Sequence, residues 1–101
     1  MIVILTTLHK KESAVKIGKG LLENRLIACY NLFPIESAYW WKGKLLEEDE
    51  TLLLLKTRAG NFEKIEHYIK AHSGYEVPEV IAMTPEKVNF SYLKWIDDET
   101  N

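Results

Sequence analysis

Residues 28–57 read ACYNLFPIESAYWWKGKLLEEDETLLLLKT, two β-prone arms joined at the turn signal Lys42-Gly43. The first arm is Ala28–Trp41 and the second, of equal length, is Lys44–Thr57. At ~3.3 Å per residue each arm spans on the order of 45 Å, whereas a domain of roughly 100 residues has a radius of gyration of ~13 Å. The hairpin is therefore too long for its own globule, and we expect its arms to reach beyond it.

The segments that flank the hairpin alternate between apolar β-type runs and helical spacing of apolar residues. We predict strands at residues 2–7 and 80–83 and helices at residues 12–26, 58–73 and 90–98. The resulting order, β-α-β-β-α-β followed by a terminal helix, is the ferredoxin-like pattern. The predicted fold class is α+β, a ferredoxin-like βαββαβ antiparallel sheet with a long β-hairpin and a C-terminal helix, in a single domain at residues 1–101.

Individual residues predict how these elements end and bend. Asn24 should stop the first helix, because asparagine tolerates the left-handed conformation of a helix C-terminus. Pro34 lacks a backbone donor and implies an edge strand or a bulge. Asn89 should cap the last helix at its N-terminus. That helix should turn three residues inward, Phe90, Leu93 and Ile96.

Three strand segments are apolar on both faces, as strands buried on both sides are. They are IVIL (2–5), LLLL (52–55) and VIAM (80–83). Right-handed crossovers place both long helices on one face of the sheet, so another element must bury the other face. The simplest candidate is a further copy of the same chain. Adjacent strand residues point to opposite faces, so Trp40 and Trp41 face opposite sides of the sheet. We expect at least one of them to contact another subunit. The predicted subunit interface contains Pro34, Tyr39, Trp40 and Trp41.

Composition excludes several classes of function. The chain has 101 residues, a net charge of −2 and a single cysteine. A nucleic-acid partner is disfavoured because it requires a basic face, and an internal disulfide is impossible with one cysteine. No apolar run approaches the ~18 residues of a membrane span, and no secretory signal is visible. These observations predict a cytoplasmic protein without nucleic-acid or membrane partners.

Four segments, taken in order, resemble the CutA family of divalent-cation tolerance proteins. They are ENRLIACYN (23–31), YWWKGKLLEEDETLLLLKT (39–57), YEVPEVIAM (75–83) and YLKWIDDET (92–100). The resemblance implies a compact homotrimer similar to the PII signalling proteins, in which long hairpin arms join neighbouring sheets. It also implies a role in the tolerance of, or response to, copper and other divalent metal ions. No reaction is established for the family, so we expect a protein that is not an enzyme.

The resemblance implies at most weak binding of copper or another divalent cation. Some members carry a cysteine where this chain has Thr6, and histidines before the tyrosine of the YEVPE segment. Only His72 remains of those histidines, with Glu79 as an oxygen ligand nearby in sequence. Cys29 and two further histidines, His9 and His67, lack the paired spacing of a preformed site, and we interpret them as structural residues.

Other functions stay open. The first is a PII-like module that binds a small anionic ligand at the subunit clefts, with a predicted cleft of Trp41, Lys56, Tyr75 and Glu76. The second is a rigid trimer that presents a surface to a protein partner. The acidic run Glu47–Glu50 is interpreted as a solvated strand tip that resists stray pairing, with a cation site there as the minority interpretation.

Overall fold

The computed structural model describes residues 1–101, and its elements follow the predicted order. They are β1 (Ile2–Leu8), α1 (Lys11–Glu23), β2 (Cys29–Trp41), β3 (Lys44–Thr57), a 3-10 turn (Ala59–Asn61), α2 (Phe62–His72), β4 (Ile81–Met83) and α3 (Phe90–Glu99). All strand pairs are antiparallel, in the order β2-β3-β1-β4. The α+β, ferredoxin-like prediction is therefore confirmed. The predicted helix 58–73 differs in detail, because its first turn is 3-10 rather than α-helical.

The β2–β3 hairpin keeps one register along its whole length, from Trp41 opposite Lys44 to Cys29 opposite Lys56. Its two turn residues, Lys42 and Gly43, have φ angles of 49° and 79°. Positive φ at both positions is the two-residue turn whose twist matches that of the flanking strands. The long arms give the chain extents of 45 × 26 × 21 Å, so the hairpin extends well past the globular part, as its length predicted.

Pro34 lies in β2, which is an edge strand of the sheet. It is opposite Thr51, and the register is the same on both sides of this pair. Of the two predicted alternatives, the edge position is therefore confirmed and the bulge is absent.

The hydrophobic core lies between one face of the sheet and the helices α1 and α2. Strand residues Ile4, Leu53 and Leu55 are fully buried there. The helices contribute Ala14, Ile17, Leu21, Ile65 and Ile69. Because successive strand residues face opposite sides, the even-numbered residues of β3 point away from these helices. We call that second side of the sheet the open face.

Helix α1 ends three residues earlier than predicted, at Glu23. Asn24 follows as the C-terminal cap, and its side-chain amide donates a hydrogen bond to the carbonyl of Gly20 at 2.8 Å. Its φ of −88° is not left-handed. The left-handed residue is Arg25, with φ of 57°. The position of the stop is thus close to the prediction, but the conformation assigned to Asn24 is wrong.

Helix α3 packs through Ile96, which is 1% exposed, whereas Phe90 is 77% and Leu93 37% exposed in the single chain. The prediction that Phe90 and Leu93 face inward is therefore wrong for this chain alone. Asn89 precedes the helix, but its side chain bonds to a neighbouring serine hydroxyl rather than to the helix backbone. The other end is fixed by Arg58, which donates to the carbonyl of Asp97 at 2.6 Å. The helix is therefore held mainly at its C-terminus.

Candidate functional site

A cavity of about 940 Å³ opens on the open face, between the hairpin and the loop at residues 74–79. Strand alternation places Leu46, Glu48, Glu50 and Leu52 of β3 along its floor. Tyr39 and Ser37 of β2 stand directly opposite Leu46 and Glu48 in the hairpin register, and both also line the cavity. The floor therefore combines apolar and acidic side chains.

The loop after α2 forms the opposite wall. Gly74 has a φ of 79°, a backbone conformation that glycine adopts without steric cost, and the chain turns there away from the helix. The amide of Tyr75 then donates to the hydroxyl of Ser73 at 3.2 Å. These two features direct the Tyr75 side chain towards β3.

Two tyrosine hydroxyls donate to two glutamates of the floor. Tyr75 donates to Oε2 of Glu50, and Tyr39 donates to Oε1 of Glu48 at 2.5 Å. Burial, the hydrogen bond to Glu50 and the nearby carboxylate charges raise the pKa of Tyr75 well above its usual value. For Tyr39, the hydrogen bond to Glu48, then burial and the charges of Glu48 and Glu50, raise the pKa to about 12. Both phenols therefore stay protonated donors at neutral pH.

His9 completes the inner wall at the end of β1. Its ring lies against that of Tyr75, with centroids 4.0 Å apart and an interplanar angle of 40°. Its Nδ1 is 3.8 Å from Oε1 of Glu48. Three aromatic rings, those of His9, Tyr39 and Tyr75, are thus grouped around two carboxylates.

The cavity carries an excess of negative charge. Its lining includes five glutamates, Glu36, Glu48, Glu50, Glu76 and Glu79, and no lysine or arginine; of these, Glu36 lies opposite Asp49 in the register, so strand alternation turns its side chain to the other face. The nearest charge compensation at the rim is Lys42, whose Nζ is 3.5 Å from Oε2 of Glu76. An arrangement of this kind attracts cations rather than anions.

The structure brings three of the four predicted cleft residues together. Trp41, Tyr75 and Glu76 all line the cavity. Lys56 does not, because it pairs with Val3 and Cys29 at the other end of the sheet. Its Nζ lies 5.5 Å from the ring centroid of Tyr92 instead. Within one chain, the predicted cleft therefore lacks the positive charge that an anionic ligand needs.

Only one of the two predicted metal ligands lines the cavity. Glu79 lines the cavity, but His72 is not among its lining residues. The ring of His72 stacks on that of Tyr68 at 4.1 Å, and its Nδ1 is 2.8 Å from the Tyr68 carbonyl oxygen. No group of three or more His, Cys, Asp or Glu side chains is arranged to hold a metal ion. Only Nε2 of His72 is left for a ligand.

The other residues considered as metal ligands lie apart. Thr6 is fully buried on the helix side of the sheet, and its hydroxyl has no hydrogen-bond partner. Cys29 is partly exposed, with Sγ 3.9 Å from Oδ1 of Asn31. His67 is exposed on α2. Of the residues interpreted as structural, only His9 lies in the cavity wall.

The interpretation of Glu47–Glu50 as a solvated tip holds for half of that run. Glu47 and Asp49 are exposed, whereas Glu48 is half-buried and Glu50 is only 9% exposed. The difference follows from alternation, since the even-numbered residues face the cavity. The acidic run lies in the same strand as LLLL (52–55), so alternation counted back from these leucines would have identified Glu48 and Glu50 from the sequence.

The predicted interface residues lie along β2, at the edge of the sheet. Trp40 is 73% exposed, and its cross-strand partner Leu45 is 58% exposed, so they form an apolar patch on the hairpin. Trp41 points to the other face, into the cavity, with Tyr39. An exposed aromatic patch of this kind is typical of a surface that a partner covers.

Comparison with known proteins identifies one family. A model of the CutA1 divalent ion tolerance protein family matches residues 2–99. A divalent-cation tolerance protein CutA from Pyrococcus horikoshii is 44% identical over 100 residues, which are 99% of this chain and 98% of that protein. A CutA protein from Thermus thermophilus is 40% identical over 99 residues, covering 97% and 96% of the two chains.

Solved structures agree closely with this fold. A crystal structure of a point variant of CutA1 from Pyrococcus horikoshii superposes with a TM-score of 0.96 at 44% identity, covering 100% of this chain and 99% of that one. A structure from Archaeoglobus fulgidus, described as a periplasmic divalent cation tolerance protein, gives 0.95 at 37% identity, with 98% of each chain covered. In the present structure, none of the helices has the length and apolarity that crossing a membrane requires.

Proposed function

The chain belongs to the CutA1 divalent ion tolerance family, and on that premise we propose that it acts in the tolerance of cells to divalent metal ions, copper in particular, without catalysing a reaction. The observation that carries this proposal is the 44% identity to a divalent-cation tolerance protein over 99% of the chain. The acidic cavity attracts cations in general, but no group of its side chains is arranged to hold a metal ion, so the proposal does not depend on it.

We propose that the working form is a cytoplasmic homotrimer in which residues 1–101 of each subunit act as one domain. Three features support assembly. The hairpin extends past the globule, Trp40 and Leu45 are exposed at its end, and the apolar residues Ile81 and Met83 are about half exposed on the edge strand β4. Burial of these apolar surfaces between subunits would stabilise the trimer at about 25 cal/mol per Å² removed from water.

Direct metal binding is proposed to be weak and to need more than one subunit. Glu79 lines the cavity and His72 does not, so the shared site proposed here combines His72 of one subunit with Glu79 of another. Imidazole and carboxylate are ligands that Cu²⁺ accepts, but two ligands without a preformed third give low affinity. The role in tolerance then does not depend on tight storage of copper.

The PII-like alternative, a small anionic ligand at the subunit clefts, is disfavoured by charge within one chain. The lining contains Glu48, Glu50, Glu76 and Glu79 and no lysine or arginine, and an anion placed there would meet repulsion. A neighbouring subunit would have to supply Lys56 for this alternative to hold. A protein partner on the trimer surface has no particular observation in its favour.

Two experiments test the proposed function. Deleting the gene in its host should lower growth in graded Cu²⁺, and the intact gene should restore it; unchanged growth over the whole range would contradict the role in tolerance. Calorimetry of the assembled protein with Cu²⁺ should give weak, saturable heat that His72→Ala reduces. His67→Ala, which alters an exposed histidine on the same helix, is the matched control. Equal heats for the two variants would mean that His72 is not a ligand of the metal ion.

A further inference from the structure

We draw no further inference here: the strongest candidate, the exposed apolar surface formed by Ile81 and Met83 on the edge strand β4 and by Phe90 on helix α3, overlaps the subunit contacts already proposed, and nothing in the structure shows what covers it.

Discussion

The hydroxyl of Tyr75 donates a hydrogen bond to the carboxylate of Glu50, 25 residues earlier in the chain, and so ties the loop after α2 to the floor of the cavity on β3. The cavity contains a second tyrosine–glutamate hydrogen bond, from Tyr39 to Glu48, which lies within the hairpin. Of the two bonds, only that from Tyr75 joins the loop to the sheet. The Tyr75–Glu50 bond therefore sets the shape of the cavity.

We predict that Tyr75→Phe lowers the free energy of unfolding by ~1–3 kcal/mol, because it leaves a buried carboxylate without its donor. Chemical denaturation of the variant and the wild-type protein measures the change. Tyr92→Phe is the matched control, since that hydroxyl makes no hydrogen bond within the chain and its ring contacts Lys56 and Trp95. Equal changes for the two variants would mean that the bond to Glu50 contributes nothing.

Stability should fall at alkaline pH because of the same tyrosines. The pKa of Tyr39 is about 12 in the folded chain against an ordinary value of 10.0, and the pKa of Tyr75 is raised further by burial and Glu50. Between pH ~10 and pH ~12 the folded state binds more protons at Tyr39 than the unfolded state does. The stabilisation that is present below pH ~10 is therefore lost as the pH rises through ~12.

Tyrosinate absorbance during a pH titration of the folded protein checks this prediction. Tyr39 and Tyr75 should ionise above the ordinary pKa of tyrosine, and Tyr39→Phe should remove the step near pH 12. A single step near the ordinary pKa for all five tyrosines would contradict the geometry described for Tyr39 and Tyr75.

Close packing between α1 and the sheet predicts a cost for Gly18→Ala. A Cβ at this position would lie 2.8 Å from Cδ2 and 2.9 Å from Cγ of the Tyr30 ring, so the ring could move away only by a change of χ1 or of the backbone. Overpacking costs ~1–3 kcal/mol, partly offset by the ~1 kcal/mol that alanine gains over glycine in a helix. We expect a net loss of about 1 kcal/mol in thermal or chemical unfolding.

Gly60→Ala is the control for that substitution. No atom lies within 4 Å of a Cβ built at Gly60, so the variant should be at least as stable as the wild-type protein. If Gly18→Ala proved as stable as Gly60→Ala, the contact between α1 and Tyr30 would be looser than described.

Substitution of the two hairpin tryptophans tests whether another subunit packs against the hairpin. Trp40 is 73% exposed in the single chain, so truncating it should cost little unless another subunit covers it. Replacing a packed tryptophan by alanine costs ~3–5 kcal/mol. We expect Trp40→Ala and Trp41→Ala to promote dissociation at low concentration and to lower the melting temperature, as measured by sedimentation and calorimetry. Unchanged dissociation and melting in both variants would contradict the arm's role.

Much of the fold could be predicted because its signals are local. The Lys42-Gly43 turn marks the hairpin, and period-two and helical spacings mark the strands and helices around it. The packing of α3 could not be predicted in the same way. Phe90 and Leu93 form an apolar stripe, but the helix is held through Ile96 and Arg58, contacts between residues far apart in sequence.

The candidate site was only partly predictable, for a similar reason. The sequence groups Lys56 with Trp41, Tyr75 and Glu76. The last three line one cavity, whereas the register puts Lys56 at the far end of the hairpin. The bond between Tyr75 and Glu50 joins two segments with no local pattern in common, so it becomes visible only in the folded chain.

Native mass spectrometry of the protein taken directly from cells is the most direct test of the central proposal, that this member of the divalent ion tolerance family works as a trimer. We predict a complex of three 11.7 kDa chains without a tightly held metal ion in stoichiometric amount. A mass corresponding to a single chain, or a trimer that retains one metal ion per subunit through mild desolvation, would contradict this prediction.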